Sequence, residues 1–135
     1  MLMIDTSALL KRYIDEPGRE GVLSIMDAEP LWFASLLAIT EARIALCRLL
    51  DDESVLREVL RHLEDDVSSL TLVPVDDLCL ERAAEIGCHT TLRTLDAIHL
   101  AAADRLPRPV KFLTFDLRQQ AAASSLGYEA VDPEL

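Results

Sequence analysis

Four carboxylates stand where a solvated acid does not belong: Asp5, Glu41, Asp96 and Asp116. Asp5 follows the apolar run Met1-Leu2-Met3-Ile4 and precedes Thr6-Ser7. Asp116 ends Lys111-Phe112-Leu113-Thr114-Phe115 in the same way. On a helical wheel at about 100° per residue, the nearest neighbours of Glu41 are Leu37, Ala38, Ile44 and Ala45, so it interrupts an apolar arc. Asp96 opens the apolar stretch Leu95 to Ala103, where it and His99 are the only polar groups before Asp104. The remaining acids, such as Asp51, Asp52, Glu53, Glu64, Asp65, Asp66, Asp76 and Asp77, fall in breaks and on polar helix faces.

A carboxylate that faces a core is costly unless it is paired or bound to a cation. Several carboxylates brought together repel one another strongly, and a divalent cation resolves that conflict. Hard oxygen donors without His or Cys select Mg²⁺ or Mn²⁺ rather than zinc. The chemistry of such a site is that of phosphates and phosphodiesters, in which the ion stabilises phosphoryl oxygens and acidifies a bound water. Simpler roles exist for each acid. Asp5 and Asp116 can cap helices, and Glu41 can pair with Arg48 or another base. Asp96 can complement a helix dipole behind a Thr94 cap. His99, one turn beyond Asp96, can be a hydrogen-bonded core residue.

The elements that must position these acids follow from period and punctuation. Apolar runs predict strands over Met1–Ile4, Leu31–Ala34, Thr71–Val75 (an edge strand, because of Pro74), Lys111–Phe115 and Tyr128–Val131. Helices are predicted over about Thr6–Asp15, Arg19–Ala28, Leu37–Leu50 (capped by Ser35), Val55–Leu70, Asp77–His89, Leu95–Leu106 and Leu117–Leu126. Gly127 suits the position just past the last of them. Short apolar strands separated by helices predict an α/β protein with a parallel sheet covered on both faces. Asp5 and Asp116 then end two parallel strands and point into one crevice.

Length and composition set the outer bounds. A chain of 135 residues, half of them apolar and 4% aromatic, predicts a single domain over 1–135 with an aliphatic core. No run nears the roughly 18 apolar residues of a membrane span, and no basic leader opens the chain. The expectation is a cytosolic, cytoplasmic protein without a membrane partner. Cys47, Cys79 and Cys88 are odd in number and lack a C-x-x-C spacing, which argues against disulfides and zinc. Cys47 is expected to be a small core residue. The net charge of −11 runs against nucleic acid as a partner and towards a metal site or a basic protein. Yet eleven of the thirteen bases are Arg, the side chain that grips phosphate bidentately.

In residue type and order the chain resembles the PIN-domain ribonucleases, in particular the toxins of VapBC-type toxin–antitoxin pairs. The segments that carry the resemblance are Met3-Ile4-Asp5-Thr6-Ser7-Ala8-Leu9, Ile39-Thr40-Glu41-Ala42-Arg43, Leu92 to Ala102 around Asp96, and Phe112-Leu113-Thr114-Phe115-Asp116, with the tail Ala121 to Pro133. The resemblance implies a three-layer α/β/α fold. It implies that Asp5, Glu41, Asp96 and Asp116 form a catalytic quartet around one or two Mg²⁺ or Mn²⁺ ions, with Asp5 and Asp96 as direct ligands. Ser7 or Thr6 would bond a ligand carboxylate or a phosphate, and Thr114 would steady Asp116. The implied reaction is endonucleolytic hydrolysis of RNA by metal-activated water, leaving a 5′-phosphate and a 3′-hydroxyl. Homodimers and a cognate antitoxin filling the groove are implied as partners. RNA binding by so acidic a chain needs a local basic rim, for which Lys11, Arg12, Arg43, Arg93 and Arg118 are candidates. Two other readings stay open: a PIN-like RNA- or protein-binding module without turnover, and a phosphatase with Asp5 as nucleophile. Against the latter, Ser7 stands where a second Asp would be expected.

Overall fold

The computed structural model describes residues 1–134. Its centre is β1 (Leu2–Ile4), buried along its whole length. Successive strand side chains point to opposite faces. Leu2 and Ile4 therefore enter one core and Met3 the other, which is why the run is apolar throughout rather than alternating. β1 pairs with β2 (Trp32–Ser35) on one side and β4 (Lys111–Leu113) on the other. β3 (Leu70–Val73) adds beyond β2 and β5 (Glu129–Val131) beyond β4. Every pairing is parallel, and the order is β3-β2-β1-β4-β5.

Helices cover both faces, giving the three-layer α/β/α architecture. α1 (Thr6–Lys11), α2 (Arg19–Ala28), α3 (Leu36–Leu49) and α4 (Glu53–Val67) pack with Leu2, Ile4 and Leu113. α5 (Asp77–Cys88), α6 (Thr94–Ala103) and α7 (Leu117–Ser125) pack with Met3 and Phe112. From β1 the chain steps outward through β2 and β3, then returns to β4 on the opposite flank. The carboxyl ends of β1 and β4 thus form a topological switch point, the crevice where open parallel sheets bind ligands.

Several expectations hold in detail. Ser35 caps α3, its Oγ accepting from the Ala38 N–H at 3.2 Å. β3 is an edge strand, and Gly127 adopts the left-handed conformation at φ 87° after α7. Others shift. α1 ends at Lys11 rather than near Asp15. α4 starts at Glu53, because Asp52 accepts from the Ser54 and Val55 amides, and it ends at Val67, where the extended run from Leu70 begins. α6 is preceded by Arg93, which makes no side-chain cap, so Thr94 is its first residue and not its cap. Cys47 is exposed, contrary to expectation. α3 turns Ala38, Ile39, Ala42 and Leu46 inward, and one step of about 100° past Leu46 faces away from that core.

Asp66 also departs from the expected solvated role, for it is buried. It receives Arg12 Nε at 2.7 Å, Arg12 Nη2 at 3.2 Å and the Tyr13 hydroxyl at 2.8 Å. α4 is thereby tied to the end of α1, the helix that begins at Asp5. Burial alone would raise the Asp66 carboxyl, but the Arg12 and Tyr13 hydrogen bonds prevail and hold it below the usual range.

An acid depressed in the folded state lends stability above its unfolded pKa of about 3.9 and loses it as pH falls through the folded value. Asp66→Asn should therefore cost about 2 kcal/mol at neutral pH, with the gap to wild type closing as pH drops below about 4. Urea unfolding at the two pH values tests both parts.

Candidate active site

The main-chain ladder between β1 and β4 continues one step past Ile4, with the Asp5 N–H donating to the Leu113 carbonyl at 3.0 Å. That bond sets the Asp5 side chain, which is buried, at the switch point. Its Oδ2 accepts from the Ser7 hydroxyl at 2.8 Å, the Ser7 N–H at 3.2 Å and the Thr114 hydroxyl at 3.1 Å. Asp5 is thus the cap of α1 and a site residue at once. Its Oδ1 is left with longer contacts, to Gln119 Nε2 at 3.4 Å and His99 Nε2 at 3.7 Å.

Asp116 caps α7, its Oδ1 accepting from the Arg118 N–H at 2.8 Å and the Gln119 N–H at 3.2 Å. Thr114 serves both strand ends. Its hydroxyl meets Asp5 and also accepts from the Asp116 N–H at 3.0 Å. Ser7 likewise reaches across, accepting from the Phe115 N–H at 3.1 Å.

Glu41 pairs with His99 and not with Arg48. Its Oε1 accepts from His99 Nε2 at 2.5 Å and from the Thr6 hydroxyl at 2.8 Å. His99 is buried, and its Nδ1 lies 2.8 Å from Ser35 Oγ. The His99 bond is the main reason the Glu41 carboxyl lies below its ordinary value; burial opposes the shift and Thr6 assists it. Burial by itself would lower His99, but the Glu41 hydrogen bond and the charges of Asp5, Glu41 and Asp96 raise it. The pair is a charge-assisted link between α3 and α6. His99 is therefore the hydrogen-bonded core residue of the simpler reading, and it is also the partner of a site acid.

Asp96 lies in the first turn of α6 with Oδ2 3.2 Å from Arg93 Nε. Desolvation is the main force on it and raises its pKa. Arg93 opposes, and the charges of Asp5 and Asp116 push the same way as burial. Asp5, Asp96 and Asp116 are therefore within reach of one another's fields, and Glu41 joins them through His99.

Of the expected basic rim, Arg12 is committed to Asp66, Lys11 to Glu16 at 2.6 Å, and Arg93 to Asp96. Arg43 and Arg118 are exposed and make no ion pair among the described residues. Two residues that sequence reasoning missed complete the floor: Ser35 beneath His99, and Gln119, whose side chain is fully buried. Ser35 was expected only as a cap. Nothing in the polar run Arg118-Gln119-Gln120 signals that the middle residue points inward.

Among the described residues, no three His, Cys, Asp or Glu side chains converge on one point as they stand. Glu41 is drawn to His99 and Asp96 to Arg93. The donor set nonetheless fits a hard divalent cation. Asp5 Oδ1 carries only long contacts, and neither Asp116 Oδ2 nor Asp96 Oδ1 takes a hydrogen bond among the described residues. Crowding also penalises the ionised form of Asp96. Carboxylate oxygens with unused lone pairs and excess negative charge are what Mg²⁺ or Mn²⁺ takes.

A family model described as the PIN domain matches residues 2–124. Ribonuclease VapC47 of Mycobacterium tuberculosis is 32% identical over 136 residues, which span 98% of this chain and 97% of the relative. Ribonuclease VapC46 of the same species is 32% identical over 133 residues, with the same 98% and 97% spans. Solved structures share the fold. FitAcB from Neisseria gonorrhoeae superposes with a TM-score of 0.76 at 19% identity over 98% of each chain. The Mycobacterium tuberculosis toxin VapC20, described as cleaving the sarcin-ricin loop, gives 0.74 at 15% over 98% of this chain and 100% of that one.

Because burial and two neighbouring acids disfavour the ionised form of Asp96, Asp96→Asn should raise Tm in cation-free buffer at pH 7.5. The lost Arg93 pair subtracts little, since Arg93 is largely exposed. An acid raised in the folded state costs stability only above its unfolded pKa, so the gain should fade as pH falls towards about 4. Thermal melts of both proteins across that range check the sign.

Proposed function

The chain belongs to the PIN domain family, and we propose that it is a Mg²⁺- or Mn²⁺-dependent endoribonuclease, the toxin of a type II toxin–antitoxin pair. The whole chain, 1–135, is read as one such domain. The observation that supports this most is the gathering of Asp5, Glu41, Asp96 and Asp116 at the β1–β4 switch point. The ribonuclease names of relatives 32% identical over 98% of the chain supply the substrate class, which the acids alone do not.

Asp5, Asp96 and Asp116 would hold the cation, with Glu41 completing the site directly or through water. When bound, the ion supplies charge stabilisation at the phosphoryl oxygens and a more acidic water. The side chains of this protein do the positioning. Ser7 and Thr114 lock the Asp5 carboxylate, and the first amides of α7 lock Asp116. His99 and Thr6 engage Glu41 Oε1, leaving Oε2 to accept a hydrogen bond from an attacking water and then its proton. Cleavage would leave a 5′-phosphate and a 3′-hydroxyl. Arg118, exposed in the first turn of α7 beside Asp116 and without an ion pair among the described residues, is the rim residue best suited to RNA phosphates, with Arg43 as a second candidate. The acidic remainder suits a basic antitoxin whose segment covers the groove. Homodimers in the cytoplasm complete the reading; among the described residues no helix is long and apolar enough to cross a membrane.

The decisive assay is cleavage of total RNA by antitoxin-free protein in Mn²⁺, in Mg²⁺ and in EDTA. Discrete fragments should appear only with metal, and Asp96→Asn should reduce them by more than about 100-fold, beyond the usual loss for an outer-sphere partner. Metal-independent or variant-independent cleavage would refute the reading. Metal binding without cleavage of any RNA would favour the binding module. Arg118→Ala should weaken RNA binding across sequences and lower the slope of log affinity against log salt by about 0.7, the value for one phosphate contact on a single strand. Fluorescence anisotropy at several salt concentrations measures this.

A further inference from the structure

The reading above leaves the buried amide of Gln119 without a task. Burying a primary amide is unfavourable unless its hydrogen bonds are met, and an apolar side chain would fill the same space in α7 at no such cost. The bonds it makes are specific. Its Oε1 accepts from the Thr114 hydroxyl at 2.7 Å, and its Nε2 faces Asp5 Oδ1 at 3.4 Å and the Asp96 carbonyl at 3.3 Å. Its backbone N–H donates to Asp116 Oδ1 at 3.2 Å. One residue therefore bonds to all three aspartates, which come from the end of β1, the first turn of α6 and the turn after β4.

Proton counting adds a second effect. The Thr114 hydroxyl has a single proton but faces Gln119 Oε1 at 2.7 Å and Asp5 Oδ2 at 3.1 Å, with Ser7 Oγ farther off at 3.3 Å. Gln119, the shorter contact, competes with Asp5 for that proton, so Asp5 receives only a share of it. Ser7 still holds Asp5 Oδ2 through its hydroxyl and its N–H. The carboxylate stays fixed in place while its charge is less quenched than the heavy-atom contacts alone suggest.

We propose that Gln119 is a positioning residue that sets the mutual spacing of Asp5, Asp96 and Asp116 and keeps Asp5 available for a divalent cation. The proposal rests on the metal-dependent reading given above. It concerns an uncharged amide, and its readout is cation affinity rather than turnover alone.

Gln119→Met keeps the volume and removes both ends of the amide. Thermal melts titrated with Mn²⁺ should show wild type rising in Tm, and the variant should need about tenfold more Mn²⁺ for half of its rise, as is common when an outer-sphere partner is lost. At saturating Mn²⁺ the KM for RNA should be unchanged. A lower metal-free Tm with an unchanged Mn²⁺ midpoint would mean that Gln119 only packs, and would overturn the proposal. No response to Mn²⁺ or Mg²⁺ by wild type would overturn the metal reading and this inference together, whereas equal midpoints in a responsive wild type and variant sink the inference alone. Should the variant not fold, the wild type still decides. The side-chain NH₂ resonances of Gln119 should move during a Mg²⁺ titration with the same midpoint as the thermal shift, and resonances that stay in place refute the idea.

Discussion

Mutual repulsion of carboxylates at the end of a buried strand is the constraint that the rest of this structure accommodates. Each of the four acids meets it with a different kind of partner. Asp5 takes hydroxyls and an amide, Glu41 an imidazole, Asp96 a guanidinium, and Asp116 the first amides of α7. The partners come from different layers. His99 binds α6 to α3 across the top of the sheet, and Thr114 binds the end of β4 to the end of β1. The groups that restrain the acids thus also fasten the two helical layers where the sheet leaves them apart. Asp96, whose nearest base is mostly in solvent, is the least well compensated. A native site commonly carries such a local cost where chemistry requires it.

Much of this arrangement is legible in the sequence because it is local. An apolar run that stops at an acid marks the end of a buried strand, and it does so for both Asp5 and Asp116. An acid inside an apolar arc marks Glu41. What the sequence hides is which distant group answers each charge. Arg48 lies conveniently on the Glu41 helix, yet the partner is His99, 58 residues away, because the packing of α3 against α6 is decided by the whole sheet. Asp66 looks like one more acid on a polar face until Arg12 and Tyr13 reach it across 54 and 53 residues.

Gln119 is the sharper case. Leu117 is 75% exposed while Gln119 is fully buried, the reverse of what side-chain polarity predicts. The inversion has a physical source. The start of α7 is held by Asp116 and by the strand end before it, so the helix is aimed by the site rather than by its own apolar face. Cys47 errs in the opposite sense, an apolar-looking residue placed outside by the phase of α3. In both places a residue's own character was overruled by the orientation of its helix.

The parallel order β3-β2-β1-β4-β5 also has a consequence in time. β1 is made before every other strand of the sheet, and β4, which flanks it on the Asp116 side, follows only after β2 and β3. A ribosome adding about 5–20 residues each second has made Asp5, Glu41 and Asp96 well before β4 exists to dock. Until then β1 has an open edge and Asp5 lacks both Thr114 and Gln119. For a chain read as a nuclease, this topology withholds activity until β4 and α7 have been made: a nascent chain that stops short of them carries most of the acids but not the crevice that gathers them.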